Sequence, residues 1–256
     1  MRYKSNRIGL VCATFVLTCG LAEAQSGGTV AHHEHTMSAA SDGDGGNTLD
    51  HATHAMSMKQ VDAGPHMKLT ALRAWNKDDS ARAGQIVRQT RKALERYKDY
   101  RVALEDGYRI FLRNVPSKMK HFTNYRYAGE AAFRLDPEHP TSLLYEQKGH
   151  DYELIGAMFT APARLSEDEL NERIPLSVAQ WHLHVNLCMP PRDQRAEMFK
   201  RNGRFGLMGS IDTEQACEAA GGRFVPRVFG WMVHVYPFEN TSQEIWSVVR
   251  QMDHKH

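Results

Sequence analysis

The chain has 256 residues, with 32 Lys and Arg against 30 Asp and Glu, a formal charge of +2, and 14 His. That length suffices for one or two domains, and the near balance of charge gives no reason to expect nucleic acid or an anionic membrane as a partner. No G-x-S-x-G, H-E-x-x-H, Walker or dinucleotide-binding pattern occurs, which leaves the common hydrolase and nucleotide chemistries without support.

Residues 1–24 combine a basic start (Arg2, Lys4, Arg7), an apolar run from Ile8 to Leu21 and an Ala22-Glu23-Ala24 site before Gln25. This is the pattern of a secretory signal peptide, so the mature protein is expected to begin at Gln25 and to be periplasmic or secreted. A membrane anchor is the alternative, for which the run is short; a lipoprotein lipidated on Cys19 is another, for which Thr18 is a poor preceding residue. Losing Arg2, Lys4, Arg7 and Glu23 leaves 29 basic and 29 acidic residues.

From Gln25 to Asp78 the chain is poor in large apolar residues and is expected to be a disordered leader, because it cannot bury enough surface to offset chain entropy. Its polar residues are His32, His33, His35 and Met37, then His51, His54, Met56 and Met58, then His66 and Met67. Imidazole and thioether together suit copper in both oxidation states, and a low-complexity linker with incidental histidines is the plain alternative.

A single α+β domain is expected over 79–256, an antiparallel sheet, open or barrel-like, with a long N-terminal helix and short flanking helices. Asp79 or Ser80 can cap that helix, which would run to Glu105 and stop at Gly107, with Val87, Thr90, Leu94, Tyr97, Arg101 and Leu104 at three-four spacing. A strand or strand-turn follows over 118–127, carrying His121, Asn124 and Tyr125, then a short helical piece over 129–134. Strands are expected over 142–147 and 152–160, joined by the hairpin connection Lys148-Gly149-His150-Asp151. Short helices are expected near 193–200, after Asp212 or Thr213, and over 242–252.

The most informative stretches are Ser177 to Cys188, S-V-A-Q-W-H-L-H-V-N-L-C, and Phe229 to Glu239, F-G-W-M-V-H-V-Y-P-F-E. Strand alternation puts Trp181, Leu183, Val185 and Leu187 on one face with His182, His184 and Asn186 on the other. In the second stretch it sets Trp231, Val233 and Val235 against Met232, His234 and Tyr236. If the two pair, three imidazoles converge on one patch, where they could hold a transition metal, copper before zinc. His121 is the best fourth ligand, with Cys188, Met232 and Glu239 behind it. Tyr236, Tyr125 and Asn186 could orient the ring nitrogens that do not bind metal. The bland alternative is a polar, solvated sheet face. Cys188 and Cys217, the two cysteines that remain after export, are expected to form a disulfide; by strand parity Cys188 could instead be a thiolate ligand.

In order along the chain, A-L-E-D-G-Y (103–108), H-F-T-N-Y (121–125), S-L-L-Y-E (142–146), L-I-G-A-M-F (154–159) and W-H-L-H-V-N (181–186) resemble the signposts of a large group of exported bacterial proteins. The resemblance covers roughly residues 80–190 and carries no named reaction. By position it implies that His121 and His184 are the histidines to test first. Where relatives show His-Tyr this chain has His121-Phe122, and the glutamate they carry near Met158 is missing, so no acidic ligand is implied there. The HxH with a distant His is also similar to the metal site of cupin barrels, although Cys188 stands where their glutamate would. Three functional readings follow: copper handling by the folded His site and the leader; a metal-dependent enzyme, oxidoreductase or hydrolase, with an open coordination position; and a module that binds a small polar ligand without metal. Oligomeric state is left open.

Overall fold

The computed structural model describes residues 63–113, 115, 117–200 and 202–252, which belong to one compact unit. The signal-like segment, the His32 to Met58 tract and the closing His254-Lys255-His256 lie outside the described residues.

Seven antiparallel strands form one sheet: β1 (Met67–Leu69), β2 (Arg109–Ile110), β3 (Met119–Thr123), β4 (Ser142–Lys148), β5 (Asp151–Ala161), β6 (His182–Met189) and β7 (Arg223–Val235). Their order is β1-β6-β7-β5-β4-β3-β2, so the fold is α+β as expected, while the sheet is open and the barrel-like alternative is not what forms. The expected β4–β5 hairpin is present, with Lys148 opposite Asp151 and Gly149 at φ +65 supplying the left-handed turn residue. The two histidine-bearing stretches do pair, β6 against β7. Pro226 is accommodated in β7 because β5 pairs only with Trp231 to Ala161's level and above, at Trp231–Val235.

Helix α1 (Lys77–Leu94) starts one turn earlier than the sequence suggested, because the Asn76 side chain accepts from the Asp79 N–H at 2.8 Å. It ends earlier too. After a 3₁₀ turn over Glu95–Lys98, Asp99 turns extended and its side chain accepts from the Arg101 N–H, opening a new helix, α2 (Tyr100–Glu105). The single helix expected to reach Glu105 is therefore divided by a residue whose side chain competes for the backbone. Shorter helices follow: α3 (Tyr125–Glu130), α4 (Glu167–Arg173), α5 (Glu214–Ala219), α6 (Ser242–Ile245) and α7 (Val248–Met252).

One face of the sheet is the core. Ala83, Ile86 and Val87 of α1 pack on Phe159, Ala161, Trp181, Leu183, Trp231, Val233 and Val235, so both tryptophans are core residues as expected. Leu94, Tyr97, Ala103 and Tyr108 pack on Phe122, Leu143, Tyr145 and Ala157. Each fully buried large apolar side chain contributes ~1.5–3 kcal/mol, enough to hold short helices that would not persist alone.

The expected leader boundary is corrected at its C-terminal end. Residues 67–69 pair with β6, and His66 is buried with Nδ1 at 3.0 Å from the Asn186 carbonyl oxygen and Nε2 at 2.8 Å from that of Gly209. Composition missed this because a three-residue edge strand needs little apolar content once a partner strand exists.

Candidate metal centre

The face turned away from α1 carries the histidines. Register places Met232 opposite His182, Met158 opposite His234 and Leu144 opposite His121, so these side chains share one side of the sheet. His182 and His234 are 2 % exposed and His184 is 9 % exposed, which makes this a buried face rather than a solvated one.

The four rings form a chain of contacts. His121 and His234 have centroids 5.3 Å apart, His234 and His182 5.3 Å, and His182 and His184 5.4 Å. His121 Nε2 lies 3.5 Å from His234 Nε2, and His234 Nδ1 lies 3.3 Å from the Tyr236 hydroxyl, which also points to Met119 Sδ at 3.9 Å. Between β3 and β7 stand β4 and β5, so in a flat sheet His121 and His234 would be about 14 Å apart across the strands alone. The sheet must curl strongly, with the histidines on its concave side.

Three local features produce the curl. The β4–β5 register shifts between Leu144 and Tyr145, and the β6–β7 register shifts between His182 and His184, where Phe229 takes φ +65. At Gly156 an added Cβ would lie 2.4 Å from the Val235 oxygen and 3.0 Å from Tyr236 Cδ1, so the missing side chain lets the tyrosine ring settle on the backbone of β5. Across the concavity the Phe111 ring meets Phe229 at 5.6 Å, and the Phe111 N–H donates to the His121 carbonyl at 2.8 Å.

The expected ligands His121, His182, His184 and His234 are thus brought together, with Tyr236 beside His234. The others are not. Tyr125 begins α3 and is 65 % exposed. Asn186 takes φ +55, which breaks the alternation assumed for it, and its Nδ2 donates to the Pro65 oxygen at 2.9 Å. Cys188 does not join the histidines either. It is bonded to Cys217, as expected, and packs with Phe205 and Ile211, so the thiolate alternative is overturned. Glu239 forms an ion pair with Arg250.

The sequence pattern did not show that Met119 and Met158 face the histidines. Each sat at the right parity in its own strand, but parity cannot tell which faces of separate strands coincide. Among the described residues, no three His, Cys, Asp or Glu side chains surround a single point as a metal ion would need. The four rings are neighbours in series without a common centre.

No protein-family model, curated protein or solved structure matches the chain.

Proposed function

We propose that this is an exported metal-binding protein that handles copper, with His121, His182, His184 and His234 as the ligand set of its folded site. One observation carries the reading: imidazoles from three strands stand in ring contact on a buried concave face whose neighbouring side chains include methionines. Nitrogen and thioether donors together favour copper, with zinc the next candidate. Convergence on one ion would require the rings to turn, and the terminal torsion of a histidine is broad enough to permit such turning. Tyr236, within reach of His234 Nδ1, would fix that ring once Nε2 binds.

Glu239 is paired with Arg250 and Glu146 with Lys148, so neither is set against the imidazoles as a proton carrier. Export is supported by the signal-like start and by the Cys188–Cys217 disulfide, a bond that persists in oxidising compartments. The His and Met residues His32, His33, His35, Met37, His51, His54, Met56 and Met58 would capture ions loosely for delivery to the folded site.

The test is a competitive titration with Cu(II) of the mature chain, of a chain lacking residues 25–62, and of His182→Ala and His234→Ala variants. Both substitutions should lower the affinity of the tightest site at least about tenfold, while the shortened chain keeps that site. Unchanged affinity in both alanine variants would overturn the proposal.

A further inference from the structure

Each of the four histidines stands beside a methionine on the same face. Met158 is the cross-strand partner of His234, Met232 that of His182, and Met67 that of His184. Met119 precedes His121 by two residues in β3, hence on the same side. Directly opposite side chains in a sheet have Cβ atoms about 5 Å apart, within reach of a shared ion for side chains as long as these.

Packing joins three of these side chains, Met119, Met158 and Met232, into one layer. Met158, Met232, Tyr236 and Leu144 form a single buried cluster with Met119 against it. Leu144 shows that hydrocarbon fills this layer equally well, so burial alone does not call for a thioether beside every imidazole. The Tyr236 hydroxyl spans the two kinds of donor, contacting His234 Nδ1 and Met119 Sδ.

We infer that Met119, Met158 and Met232 form a thioether subsite that takes a soft monovalent cation, cuprous copper, beside the imidazoles. This rests on the copper reading above and adds oxidation state to it. Thioethers bind Cu(I) and contribute little to Zn(II), whereas imidazoles serve both. Binding needs no electron transfer, since the ion arrives already reduced.

The experiment uses the full mature chain, Cu(I) maintained by ascorbate, and bathocuproine disulfonate as competing chelator. Met158→Leu, Met232→Leu and Met119→Leu are compared with wild type for Cu(I) and, separately, for Zn(II). Leucine nearly conserves volume, and Met119 is only partly buried, so its variant reads the sulfur where core packing is least involved. Each substitution should weaken Cu(I) about tenfold and change Zn(II) less than about twofold. Equal Cu(I) affinity in Met119→Leu and wild type, or parallel losses for both ions in all three variants, would overturn the inference. Failure of the underlying reading looks different: His182→Ala would then leave both ions bound as before.

Discussion

At the scale of single residues, backbone conformation decides which side chains reach the site. Alternation correctly put His182 and His184 together, and Met232, His234 and Tyr236 together, because those segments stay extended. It failed at Asn186, whose φ of +55 departs from extended backbone, and at Cys188, which is bonded to Cys217 instead. Nothing in N-L-C announces that conformation, since asparagine tolerates it without requiring it. Gly156 works in the opposite sense, because here the absence of a side chain holds the geometry. The Gly156→Ala Cβ would meet backbone, not the yielding end of a long side chain, so something must shift. That variant should lose about 1–3 kcal/mol of stability, read from urea unfolding. An unchanged midpoint would mean that the tyrosine ring does not depend on this close approach.

At the scale of elements, the strands were more legible than the helices. β4 and β5 fall close to their expected limits because apolar runs end at a two-residue turn whose Gly149 has a left-handed backbone. The long helix was misread because an apolar stripe continues through Tyr97 and Leu104, and periodicity does not register that Asp99 caps a new helix between them. β1 and β2 were missed altogether; strands of three and two residues exist only by virtue of the neighbours they pair with. The disulfide was legible from arithmetic alone, and the fold shows what it ties. It fastens α5 to the far end of β6, and an added Cβ at Gly222 would lie 2.6 Å from Cys188 Sγ. With a sequence separation of 29, its removal by Cys217→Ser or reduction should cost about 3 to 4 kcal/mol by loop closure. Urea unfolding with and without dithiothreitol checks this. The same two curves should coincide if the bond does not close in the native protein.

At the scale of the whole molecule, the fold class was readable while the curvature was not, and the site depends on the curvature. His121 and His234 are separated by 113 positions in sequence and by two intervening strands, and only the bending of β4 and β5 brings them into contact. No local pattern encodes that bend, because it arises from two register shifts and one glycine acting together. The edge strand β1 adds something the sequence kept apart. Met67 sits across from His184, so the chain coming from the His and Met tract enters the folded unit at the rim of the concave face. Met58 precedes Met67 by nine positions, a stretch of at most about 30 Å. On the proposed reading, a tether that short would keep a carried ion at high local concentration beside its acceptor. Inserting about twenty Gly and Ser residues after Gln60 should therefore slow hand-over roughly sixfold, following the −3/2 power of linker length, in a stopped-flow transfer assay. Transfer at an unaltered rate would mean that the two ligand sets work independently. If the delay is seen, the attachment point of the tail is itself a functional part, and a homologous fold that began its first strand at the opposite edge would carry the same ligands yet load them slowly.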